Sequence, residues 1–276
     1  MSTIFKRMQK VASINNPLID SPPSEVPLAN APLVRVIAQV RFPLILAIEK
    51  GDIVSQFQEK IRKKYPILKP EKTQGLILGR QGFEQTPPQI TWRFSDVENR
   101  WRVSLTPNFM ALETTNYLSR TDFLEHLRFL LVALQETFNL NVIERFGLRY
   151  IDRLVGQHTQ DISCLVRSEI AGITNSELKS YIQESINQSL FIIPEEGGQI
   201  LAKWGLIAAN TTFDPSVLEP IAEPSWILDL DMSLSKNREF SVEKQMAEAK
   251  RFSERLYTFF RWIVQDEFLR RFGGEG

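Results

Sequence analysis

The sequence predicts an α+β fold, an antiparallel sheet with helices packed on one face, and three observations predict it. Two stretches, Phe123–Phe138 and Phe252–Phe268, carry one amphipathic stripe: Phe123, Leu127, Leu130, Leu131 and Leu134 match Phe252, Leu256, Phe259, Phe260 and Ile263 at helical spacing. Each is preceded by short segments in which apolar and polar residues alternate, the period of half-buried strands. Strands therefore cluster ahead of helices instead of alternating singly with them, which disfavours a doubly wound parallel sheet.

Taken in order, residues 1–31 differ from the rest. Met1–Ala12 sets Ile4, Phe5, Met8 and Val11 along one helical stripe between Lys6, Arg7 and Lys10, and Pro17, Pro22, Pro23 and Pro27 follow in a segment read as a flexible tail. The folded body is expected from about Leu33. Val34, Val36, Ala38, Val40 and Phe42 alternate with Arg35, Ile37, Gln39 and Arg41 as a strand that Pro43 ends. Asp52 caps a helix reaching about Tyr65, with Ile53, Phe57 and Ile61 on one side and Pro66 as its stop. Strands return at Leu76–Leu78, Ile90–Phe94, Trp101–Leu105 and Phe109–Thr115, before the first long helix.

The second half repeats the order. Phe146, Leu148 and Tyr150 alternate with Gly147, Arg149 and Ile151, a weak helical stretch lies near Ile162–Ile170, and strands are expected at Tyr181–Ile186, Phe191–Ile193, Gln199–Ala208 and Trp226–Met232. The units are then a first half over 32–140 and a second over 141–276. Two such halves sharing one sheet make a saddle-like duplication; two separate α+β domains are the alternative.

Composition narrows the function. Thirty-three basic residues balance thirty-three acidic ones, so no global field draws the chain to nucleic acid or anionic membrane, and polyanion binding must come from one local face. A lone Cys164 excludes an internal disulfide and fits the cytoplasm; no stretch is apolar for long enough to span a bilayer. Phosphate-loop, dinucleotide-fold and serine-elbow motifs are absent. With His126, His158 and one cysteine there is no four-ligand Cys/His zinc set. No cofactor or catalytic residue is assigned, and the reading favours a binding protein over an enzyme.

Two constellations carry chemistry. If the apolar strand positions face the helices, the opposite face bears Arg35, Arg41, Arg93, Arg145, Arg149 and Arg153, with Gln39, Arg102 and Ser104 among them. Planar guanidinium forks match two oxygens at once, which suits phosphate and carboxylate, yet arginines on an open face also pair with acids and simply keep it wet. Asp229 and Asp231 alternate with Leu228, Leu230 and Met232 and so share a face. They read either as a magnesium-holding pair for phosphoryl transfer or as counter-ions of the arginines. Phe259, Phe260 and Trp262 exceed what one stripe needs, which leaves aromatic surface for a protein partner or a homodimer.

The strand opening at Pro32, Leu33 and Val34, its end at Phe42-Pro43, the Tyr65-Pro66 stop, and above all the run from Arg145 to Arg153 resemble a sporadically distributed prokaryotic family of about this length. That family is conserved and of unknown function, so the resemblance transfers no site residue; it implies an accessory or defence-associated gene. The halved architecture is similar in topology to the saddle of TATA-box-binding proteins, without any of their motifs. The resulting expectation is a cytoplasmic binding or adaptor protein that contacts an anionic ligand, nucleic acid or an acidic protein through the arginine face. The metal-dependent enzyme is its rival.

Overall fold

The computed structural model describes residues 14–73, 76–79, 82–85, 89–194 and 197–274. The basic stretch at Met1–Ala12 lies outside the described residues. The strands are β1 (Leu33–Arg41), β2 (Ile67–Thr73), β3 (Leu76–Gly79), β4 (Gly82–Gln85), β5 (Gln89–Ser95), β6 (Trp101–Thr106), β7 (Phe109–Thr114), β8 (Val142–Val155), β9 (Ser185–Ile192), β10 (Gln199–Ile207) and β11 (Ser225–Glu239). Nine of them form one antiparallel sheet in the order β2-β5-β6-β7-β1-β8-β11-β10-β9, and β3 and β4 pair separately. Strands of both halves therefore join a single sheet through the β1–β8 pair.

The helices are α1 (Asp52–Ile61), α2 (Arg120–Phe138), three single turns α3 (Gln157–Gln160), α4 (Ile162–Leu165) and α5 (Ser168–Ala171), then α6 (Val242–Ile263) and α7 (Asp266–Arg271). Ser119 and Ser241 cap α2 and α6, their hydroxyls accepting from the amides of Asp122 and Lys244. Period-two alternation buries Val36, Ala38 and Val40 of β1 in register with Tyr150, Leu148 and Phe146 of β8. Against this face pack Val54, Phe57 and Ile61 of α1, Phe123, Leu127, Leu130 and Leu134 of α2, and Ala249, Phe252 and Leu256 of α6. Phe146 meets Phe252 at 5.6 Å and Phe57 meets Phe94 edge-on at 5.8 Å.

Several expectations are corrected. A single strand, β9, replaces the two expected at Tyr181–Ile186 and Phe191–Ile193, and Glu177–Tyr181 is a 3-10 turn under the Ser176 cap. The polar run Asn187-Gln188-Ser189 hid it, because an edge strand tolerates polar residues on both faces. The second long helix starts at Val242, and it stops at Ile263 because Val264 turns extended and bridges to Val166. An unforeseen strand, β2, follows Pro66; Pro70 is tolerated because β2 is an edge.

The Pro-rich segment, expected as a tail, is strapped across α6. Arg255 Nη1 donates to the carbonyls of Pro17 (3.0 Å) and Asp20 (2.8 Å), and the Val26 amide donates to Tyr257 Oη (2.8 Å). Arg120 reaches Glu25 at 2.5 Å, and the Asn30 amide donates to the Phe272 carbonyl at 3.0 Å. Prolines keep the segment out of any ladder, which leaves its carbonyls free to accept from arginines. The aromatic surplus of α6 finds neighbours within the chain: Phe259 packs on Phe191 at 5.1 Å, and Phe260 meets Phe268 edge-on at 5.5 Å.

Candidate functional site

The register sets the arginines in rows on the face turned away from the helices. One row runs Arg93, Ser104, Ala111, Gln39, Gly147, Ser233 and Gln199, and the next Arg102, Glu113, Ile37, Arg149, Asp231 and Leu201. Arg41 and Arg145 stand directly opposite one another on β1 and β8.

Most of these arginines are answered by acids. Arg149 forks onto Asp229, its Nε and Nη2 each donating at 2.8 Å, and Nη2 also donates to Asp214 at 3.0 Å. Burial pulls the Arg149 guanidinium down, but the bonds to both aspartates outweigh it and hold the proton more firmly than usual. Asp229 is almost fully buried, with both oxygens taken by Arg149. Asp231 lies 3.5 Å from Arg145, and burial raises its carboxyl despite the two arginines. The two aspartates thus share a face as expected but serve as counter-ions, and among the described residues no group of three His, Cys, Asp or Glu is placed to hold a metal.

Glu113 serves two arginines: Arg35 at 2.7 Å and the Arg102 Nε. Arg93 Nε lies 2.6 Å from Glu71. Arg153 donates to the Glu219 carbonyl at 2.7 Å, and desolvation lowers its pKa. Arg145 Nη1 donates to Gln39 at 3.2 Å and lies back over Gly147, where an added Cβ would stand 2.7 Å from it. Only glycine lets that guanidinium lie flat there. Arg41 differs from the rest of the set. It is exposed and makes no hydrogen bond or ion pair with a described residue.

The loop at 208–224 decides how much of the face is open. Leu218 joins Ile151, Ile207 and Ile227 in a buried cluster on this side, with Phe213, Val217 and Val34 around it. That loop also brings Asp214 to Arg149 and the Glu219 carbonyl to Arg153, so it covers the end of the face nearest those residues. The Arg41 end lies outside the cluster. Sequence reasoning missed Glu113, although its place in the alternation of β7 puts it beside Arg102; Asp214, in a loop, left no periodic signal.

Among the described residues neither histidine is hydrogen-bonded to Cys164. His126 Nδ1 lies 2.7 Å from Tyr65 Oη, and its ring stacks on Trp101 at 3.9 Å, a boundary position. His158 packs on Phe272 at 4.9 Å and Cys164 is exposed.

Alternation also forces one carboxyl into the apolar layer. In the series Phe146, Leu148, Tyr150, Asp152, Leu154 on β8, Asp152 is 7% exposed and bonded to no described residue, and burial pushes its carboxyl up to about 7. Its diagonal neighbour Trp226 likewise leaves a buried Nε1 without an acceptor. The folded-state value exceeds the ordinary 3.8, so the folded chain binds more protons between the two. The contribution of Asp152 to stability is then fully present below the ordinary value and is lost as pH rises toward 7, by roughly 4 kcal/mol at most, against the opposite trend of paired carboxyls such as Asp214. Thermal melts across that range are expected to show the fall, and Asp152→Asn to flatten it; an unchanged slope in the variant removes Asp152 as its source.

No protein-family model matches the chain, and no curated protein matches it at a significant level. Among the described residues no helix is long and apolar enough to cross a membrane.

Proposed function

We propose that the protein is a binding or adaptor protein of the cytoplasm, serving an accessory or defence system, that takes an anionic ligand at the Arg41–Arg145 end of the open sheet face. One observation carries the reading: two arginines stand in direct register on neighbouring strands, and among the described residues no acid answers Arg41, while Arg145 has Asp231 at 3.5 Å. Like charges directly opposite across a sheet destabilise it, and an oxyanion between them removes that cost. Phe109, in register with Arg41 on the other side, adds a half-buried ring beside the pair. A phosphodiester or a carboxylate fits this combination. The same reading takes the outward strand orders from β1 and β8 as the trace of an internal duplication.

The test is fluorescence anisotropy with a labelled single-stranded oligonucleotide and, separately, an acidic peptide, across a salt series. Binding is expected to weaken steeply with salt, and Arg41→Ala and Arg145→Ala are each expected to reduce the logarithmic salt slope by about 1. Binding to neither probe, or binding that ignores both substitutions, overturns the assignment.

A further inference from the structure

β9 ends the sheet, and no described strand pairs with its outer edge. The opposite edge is guarded: in β2, Pro70 lacks an amide donor, and Lys69, Glu71 and Lys72 line the strand with charge. β9 reads Ser-Ile-Asn-Gln-Ser-Leu-Phe-Ile, with neither charge nor proline. Leu190 and Ile192 stand 56% and 65% exposed on the arginine-bearing side. We propose that β9 pairs antiparallel with β9 of a second copy of this chain, joining two sheets edge to edge.

The strand's own chemistry selects that occupant. A two-fold axis makes a strand its own partner, so each residue meets the reflection of the strand it belongs to. A charged strand would then set like charges against each other; β9 has none to oppose. Ile186, Gln188, Leu190 and Ile192 share the arginine-bearing face, Ile186 half-buried against the Leu218 cluster, and must match one another, because a one-residue slip sends side chains to opposite faces. With the axis at Ser189, Ile192 of one copy lies opposite Ile186 of the other, and Leu190 opposite Gln188. Apolar contact closes both ends of the joint. The edge is also firmly held, since Phe191 packs on Phe259 of α6 and the whole of β9 from Ser185 to Ile192 is laddered to β10.

Sedimentation velocity on the full chain between about 1 and about 100 µM, the range of moderate affinities, reads the association. A concentration-dependent dimer is expected, and Leu190→Lys and Ile192→Lys are each expected to raise its dissociation constant about tenfold or more while circular dichroism and melting stay unchanged. A chain that is monomeric throughout overturns self-pairing and leaves the edge to a strand of another protein. A dimer indifferent to both lysines overturns the assignment to β9. In a Cys164→Ser background, Ser189→Cys is expected to cross-link the dimer with a short bis-maleimide, and a dimer that it fails to link overturns the register.

Discussion

Arg149→Met is expected to cost about 3–5 kcal/mol of unfolding free energy in urea titrations, the largest loss of any polar substitution in this chain. The reason is what it leaves behind. The Asp229 side chain is 3% exposed and takes both its charge-assisted bonds from the Arg149 fork. Lys203 lies opposite it on β10, but its ammonium sits over the Phe213 ring at 5.4 Å. Without Arg149 a carboxylate stays inside with neither water nor a fork to answer it. The double variant Arg149→Met/Asp229→Leu is expected to regain most of that loss, because apolar pairs of similar size replace buried ion pairs at little cost. If single and double variants fall equally, the pair is not the source of the loss. The exposed Lys244–Glu239 pair provides the contrast, since breaking it is expected to leave the urea midpoint unchanged.

Gly205→Ala is expected to rank next, at about 3 kcal/mol, with β9 losing hydrogen-exchange protection before the rest of the sheet. Gly205 holds φ +144, and an added Cβ would stand 1.8 Å from the Ser185 carbonyl oxygen. Backbone meets backbone there, so nothing flexible can yield, and relief requires β9 to leave β10. Gly147→Ala is the milder counterpart: its Cβ would press on the far end of the Arg145 side chain, which can swing away. Equal protection of β9 in wild type and Gly205→Ala would show that the added methyl is accommodated without parting the two strands.

The parts of the fold legible in the sequence are those with strict period. Val36, Ala38 and Val40 announced β1, and the stripe from Phe123 to Leu134 announced α2, because one-sided burial leaves an uninterrupted pattern. The arginine rows follow from the same parity once register is fixed. Their neutralisation was legible only in part: Asp229 and Asp231 read as counter-ions by parity, whereas Asp214 arrives from a loop and Glu113 reaches Arg35 only because β7 pairs with β1. The strap across α6 was also illegible: prolines announce what the segment cannot be, while the helix arginines that hold its carbonyls lie more than two hundred residues away. β9 failed to register because an edge strand is half wet on both faces, which blurs the alternation that marks a strand between neighbours.

Placing β1 between β7 and β8 has a consequence for biosynthesis. One side of β1 closes as soon as β7 is made, but the other waits for β8, which follows α2 in the chain. On the ribosome, at roughly 5–20 residues per second, the nascent first half carries an unfilled ladder along β1 until Val155 has emerged. That interval is when holdase chaperones have their strongest purchase on this polypeptide, and a fragment ending before β8 keeps the same exposure permanently.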